Sequence, residues 1–378
     1  MVRWSHFLKA VPFILGLCFT GLAFGLGLGQ KFALQGDLTG VYQWLWQEKG
    51  DFEDEDAGSL AFDGRLSFKP TDKDEFYLRA SLAWGNGLKD LSPFMLPPNA
   101  DDLEDDLKDI NGRGRDHLQE LWYARAFEFS GTKGRVVLGI ISGSSFIDDN
   151  RFANDELAQF MNQALVNNPL ANIPNYDYGL ALDVEKGPFN VRFVGIGSKT
   201  PEHELSKFNE KDYLYLAAQV GLNLKTPLGE GNYRLYAFCT DRKFPDWKDE
   251  RKKSLLGIGV SIDQDLIKDK LGAFLRLGYQ DTRAKVDYKA MASLGIDYNF
   301  KAFGRDLGAG LGWAYLRAPS RHEELKHTEV IEAYLSIPVY QKGETSLKVS
   351  LDYQFLRDEL KEGANKGHIF GLRCNLRF

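Results

Sequence analysis

Apolar and polar residues take turns along most of this chain. In "KFALQGDLTGVYQWLW", Phe32, Leu34, Leu38, Tyr42, Trp44 and Trp46 hold even positions, while Lys31, Gln35, Asp37, Thr39 and Gln43 hold odd ones. Ser59 to Lys69 repeats the pattern, with Leu60, Phe62, Leu66 and Phe68 opposite Asp63, Arg65, Ser67 and Lys69. "EFYLRASLAWG" then sets Phe76, Leu78, Leu82 and Trp84 against Tyr77, Arg79 and Ser81. A period of two marks a strand with one apolar face. Followed to the end, it predicts sixteen strands, over 31–46, 59–69, 75–85, 117–129, 135–143, 176–185, 189–197, 212–224, 232–240, 254–263, 271–280, 287–300, 306–316, 328–339, 345–356 and 368–378. Short turns such as "PTDKDE", "SGTKG" and "KAFGR" follow every second strand. The other connections are longer and charged, as in "QEKGDFEDEDAG" and "DRKFPDWKDERKK".

An even strand number, short turns at one end and long loops at the other describe a bacterial outer-membrane barrel. A soluble sandwich is the competing architecture, but it buries its apolar faces with fewer strands. Tyr42, Trp44, Trp46, Trp84, Trp313, Tyr315, Tyr353 and Phe355 near strand ends suit an interfacial girdle. The chain ends "GLRCNLRF", where Phe370, Leu372, Cys374, Leu376 and Phe378 share one face. An unpaired sheet edge is too costly in hydrocarbon, so the first and last strands are expected to pair. Sixteen strands enclose a lumen too wide for side chains to fill, which leaves a watery pore. The expected fold class is an all-β transmembrane antiparallel barrel.

One stretch breaks the alternation. In "SSFIDDNRFANDELAQFMNQALVNNP", Leu157, Phe160, Met161, Ala164 and Leu165 fall at helical spacing, Asn154 is a candidate N-cap, and Pro169 would stop the helix. By count this is the third long loop, between strands five and six. A helix over 154–165 folded into the barrel would pack its apolar face on the wall and narrow the lumen with Asn154, Asp155, Glu156 and Gln159. Covering the barrel mouth or packing in a subunit interface are the other placements open to it.

Composition narrows the function. Before the first strand, Arg3 and Lys9 precede an apolar run from Ala10 to Leu28, so residues 1–29 read as a secretory signal peptide and 30–378 as one barrel domain. Losing those two cations takes the formal net charge from −6 to −8, which gives no support to a nucleic-acid partner. The segment from residue 30 holds two cysteines, Cys239 and Cys374, too few for a disulfide framework. His117, His203, His322, His327 and His368 show no metal-ligand or triad spacing, so neither an enzyme site, a cofactor nor a metal is expected. The polar strand faces, by contrast, carry arginines: Arg65, Arg79 and Arg276, with Arg125, Arg192 and Arg234 on strands of weaker alternation. Lys31, Lys289, Lys348 and Arg373 share those inward faces, as do Asp37, Asp63, Asp183, Glu185, Asp297, Glu332 and Asp352. Planar guanidinium forks among amides and carboxylates suit hydroxyl-rich solutes.

The residues "ELWYARAF", "FIDDNRFANDELAQFMNQALVNNP" with "IPNY", "GEGNYRLYAF", "GAFLRLGYQD", "LGAGLGWAYL" and "EVIEAYLSIPVYQKGETSLKVSLDYQFL" resemble the carbohydrate-selective porins, the OprB family. The resemblance implies passive diffusion of small sugars through a constriction of arginines and acids, in a homotrimer of the bacterial outer membrane. The candidate constriction and solute-binding residues are then Asp63, Arg65, Arg79, Arg125, Arg234 and Arg276 on the wall, with Asn154, Asp155 and Glu156 on the helix. Outer-membrane lipids and lipopolysaccharide are the other expected partners. A general or anion-preferring porin, a polysaccharide exporter and a barrel enzyme are the alternatives.

Overall fold

The computed structural model describes residues 31–99, 103–199 and 212–378. The signal peptide expected over 1–29 lies outside them. Sixteen antiparallel strands close into a barrel: β1 (Phe32–Lys49), β2 (Glu55–Phe68), β3 (Asp74–Trp84), β4 (Leu118–Phe129), β5 (Thr132–Ile141), β6 (Asp177–Lys186), β7 (Phe189–Lys199), β8 (Asp212–Thr226) and β9 (Gly229–Thr240), then, after a small hairpin of β10 (Phe244–Pro245) and β11 (Lys252–Lys253), β12 (Leu256–Ile267), β13 (Leu271–Gln280), β14 (Ala290–Ala302), β15 (Arg305–Arg317), β16 (Leu325–Lys342), β17 (Thr345–Leu360) and β18 (Ala364–Arg377). Each barrel strand overlaps one predicted from the alternation.

Closure is made by β1 against β18, in register from Asp37 opposite Arg377 to Trp46 opposite His368. Gly36 and Phe378 exchange backbone hydrogen bonds of 2.8 and 2.9 Å, and Arg377 pairs with Asp37 at 2.8 Å. With both edges satisfied, the sheet presents no unpaired backbone to lipid.

The outward residues are exposed apolar side chains around the wall, among them Leu138, Leu180, Leu216, Leu235, Ile258, Leu277, Leu311 and Leu351. Aromatic rings flank this belt. At the short-turn end Phe32 stacks on Phe68 (4.4 Å), Phe68 on Phe76 (6.1 Å), and Phe76 meets Tyr123 (5.0 Å), while Trp44, Trp46 and Trp84 ring the long-loop end. An apolar belt between aromatic girdles is the exterior of an outer-membrane barrel, with the short turns periplasmic and the long loops extracellular.

The inner wall is less uniformly polar than alternation alone suggests. Val137, Val194, Ile196, Tyr215 and Phe238 line one sector, and Phe274, Met291, Ala314, Val330, Tyr334 and Leu356 another. The third loop, 142–176, covers both: Phe146, Ile147 and Ala171 join the first cluster, and Phe160, Ala164, Leu165 and Val166 the second.

The helix expected over 154–165 is a correction. Residues 155–159 form a hydrogen-bonded turn, and within this loop α-helix is confined to α1 (Gln163–Val166), capped by the Asn162 side chain on the Ala164 N–H (3.0 Å). The predicted apolar residues Leu157, Phe160, Met161, Ala164 and Leu165 are nevertheless all buried. The wall supplies the partners a helix would have used. Arg373 of β18 donates to the carbonyls of Glu156 and Gln159, and Glu332 of β16 accepts from the N–H groups of Met161 (2.6 Å) and Asn162 (2.9 Å). With those four backbone groups satisfied elsewhere, the i to i−4 ladder is not needed.

Candidate functional site

Inward glycines give the third loop its seat. A Cβ on Gly312 would lie 3.0 Å from Leu165 and Phe160, one on Gly272 would overlap the Phe152 ring at 2.1 Å, and one on Gly371 would lie 3.2 Å from Met161. Charges then fix the loop's backbone. Arg276 is 0 % exposed; it pairs with Asp148 at 3.1 Å and donates to the Leu165 carbonyl (2.7 Å), the Asp148 carbonyl (3.2 Å) and Asn154 Oδ1 (3.1 Å). Burial pushes the Asp148 carboxyl above the ordinary carboxylate range, against the pull of Arg276. Arg234 bridges Asp149 (2.9 Å) and Asp263 (2.7 Å), and Arg192 also reaches Asp149 (3.0 Å). Arg151, on the loop itself, pairs with Asp263 and Asp265.

The tip of the loop, Asn154 to Leu157, faces the start of the barrel. There a cavity of about 660 Å³ is lined by Asn154, Asp155, Glu156 and Leu157 on one side and by Gln35, Asp37, Arg65, Arg79 and Arg377 on the other. Arg65 and Arg79 are register partners on β2 and β3. Arg65 hydrogen-bonds Asp37, and Arg79 pairs with Asp63 at 3.1 Å while donating to the Tyr176 hydroxyl (3.2 Å). Asp63 is buried beneath them and also accepts from Ser81. The guanidinium charges are thus balanced where they stand, and their remaining N–H groups are held in fixed directions. A second cavity, about 710 Å³, lies on the other flank of the loop against Asp297, Arg305, Tyr334 and Lys348.

Of the nine candidate residues, Arg65, Arg79, Asn154, Asp155 and Glu156 come together at this first cavity, with Asp63 as the support of both arginines. Three do not join them. Arg276 and Arg234 are the loop's anchors. Arg125 is on the wrong face: it shares parity with Leu121 and Phe127 on the outward side, its side chain is 58 % exposed, and it pairs with Asp74 (2.7 Å) beside the lipid-facing Tyr123. The inward row of β4 is instead Glu120, Trp122 and Ala124, after a register shift against Arg79 and Ala80. "LQELWYARAF" is apolar on both parities, so alternation could not choose between its faces.

A second inserted loop was not expected. In the connection between β3 and β4, Leu88, Phe94 and Leu96 are buried among wall residues, and the Pro98 carbonyl accepts from Gln43 (3.3 Å) and Gln354 (2.7 Å). Met95 N–H reaches Asp358 (2.8 Å), and the Pro97 carbonyl accepts from the Gln163 N–H (3.4 Å), bracing the third loop from above. The signal was in the sequence: "LSPFMLPP" is an apolar run inside an otherwise charged connection.

The closed sixteen-stranded barrel with inserted loops is the fold of outer-membrane porins, and the apolar belt places this chain in the outer membrane. Pseudomonas putida OprB matches it with a TM-score of 0.68 at 14% identity, over 95% of this chain and 97% of the other. Salmonella typhi OmpF (TM-score 0.56, 9% identity, 93% and 98% covered) and the outer membrane channel DcaP of Acinetobacter baumannii (0.53, 10%, 92% and 97%) share the same fold. No family model matches the chain. An "Uncharacterized protein" of Aquifex aeolicus (strain VF5) is 31% identical over 318 residues, 83% of this chain and 87% of its own length, and the chain belongs to that protein's family.

Proposed function

We propose that this chain is a passive outer-membrane porin whose preferred solutes are small, uncharged and rich in hydroxyls, carbohydrates above all. The observation that carries the reading is the mixture of charges held in place at the first cavity: Arg65 and Arg377 share Asp37, Arg79 pairs with Asp63, and Asp155, Glu156 and Glu344 line the same space. A lining of this kind exchanges a solute's water for fixed hydrogen-bond donors and acceptors. Solute moves down its gradient; no cofactor and no covalent step are involved. A homotrimer and contact with lipopolysaccharide belong to the same proposal.

The test is permeation into proteoliposomes. Swelling in isotonic glucose should outpace swelling in a charged solute of similar size, such as gluconate or glucosamine. Equal rates for all three would favour a general porin, and faster gluconate entry an anion-preferring one.

A further inference from the structure

Tyr77 on β3 and Trp122 on β4 are register partners on the lumen face, and their rings stack with centroids 4.7 Å apart and planes 19° apart. Both are half-buried, whereas the inward rings of Tyr215, Phe274 and Tyr334 are buried beneath the third loop. Trp122 is held in place: Arg135 lies over its ring at 5.9 Å, and its Nε1 donates to Glu120 (3.1 Å). On the side away from Trp122, Tyr77 is flanked by small residues. The next residues along its rung are Ser67 on β2 and Ala33 on β1, both too small to cover a phenol ring. Around that uncovered side, Ser67 donates to Glu75 (2.7 Å), and the Arg65–Arg79 rung is the next toward the long loops.

We propose that the uncovered face of Tyr77 is a stacking subsite for the pyranose ring of a hexose, on the periplasmic side of the arginine rung. The inference rests on the carbohydrate reading above and adds a location to it. A pyranose has an apolar C–H face and a polar rim. A ring stacked on its cross-strand neighbour can meet the face, and Ser67, Glu75 and Arg65 are placed for the rim. Because Trp122 already immobilises Tyr77, little side-chain freedom is lost when a sugar docks.

Glucose titration of the current through single channels in planar bilayers tests this. Y77L should raise the half-blocking glucose concentration about 3- to 10-fold, as loss of an aromatic contact does, while Y77F stays within about twofold because it keeps the ring. S67F, which covers the same face from the other side, should mimic Y77L, and it decides alone if Y77L does not assemble into a heat-modifiable barrel. Unchanged block in the assembled Y77L or S67F channel, with the wild type blocked, overturns the subsite and leaves the function standing. A conducting wild type that glucose does not block overturns the carbohydrate reading itself.

Discussion

Arg79 and Arg276 look alike in the sequence, each an arginine on the polar face of a strand, but they have different work. Arg79 borders the cavity; Arg276 is 0 % exposed and spends its donors on the third loop. Alternation tells which way a side chain points and nothing about what comes to meet it, so the two could be told apart only once the loop was in place. R79A should therefore weaken sugar block, and because Arg65 still stands 3.8 Å from Asp63, it should cost the barrel less stability than R276A does. R276A strands the buried Asp148 carboxylate, a loss of about 3–5 kcal/mol for a broken buried pair, and should loosen the loop, seen as noisier current and faster proteolysis between residues 142 and 176. R125A, on the lipid-facing side, should change neither block nor conductance. At the loop tip, D155N with E156Q removes both acids facing Arg65 and Arg79. The reversal potential in a salt gradient should shift toward anion selectivity; an unshifted potential would place the acids away from the ion path.

At the level of elements, strands were readable and the loop's conformation was not. A lipid-facing wall forces one apolar face on every strand, so sixteen independent repeats of one pattern report the same architecture. The third loop has no such repeat. Its apolar residues named the surface it buries, but whether the backbone coils depends on Arg373 and Glu332, 170 residues or more further along the chain. E332A should free the Met161 and Asn162 N–H groups and raise the open-channel conductance, with E332Q, which still offers an acceptor, falling between it and the wild type. G312L should act on the same loop from below, because its side chain would occupy the space of Leu165 and Phe160. Overpacking of this kind costs about 1–3 kcal/mol, less than a barrel needs to fail, so the variant should remain heat-modifiable on gels while its conductance rises.

For the whole molecule, the described residues assign each part a physical task. The closed sheet satisfies the backbone in lipid, the apolar belt and aromatic girdles set its depth, and two inserted loops reduce a lumen that sixteen strands alone would leave wide. The arginine–carboxylate pairs of β1–β3 then face the acidic tip of the third loop across the remaining gap. The charged pore face was legible in advance, because polar residues have no other reason to recur opposite a lipid-facing row. The bracing of one loop by another was not, since both lie in connections without periodicity. Passage of ions and solutes between the loop tip and this wall can be measured at one atom. With the outward Cys239 and Cys374 replaced by serine, D155C is placed in a planar bilayer and exposed to a water-soluble thiol reagent carrying a bulky charged group. A stepwise fall in single-channel current on modification is the predicted result, and modification confirmed by mass spectrometry without any change in current would contradict it.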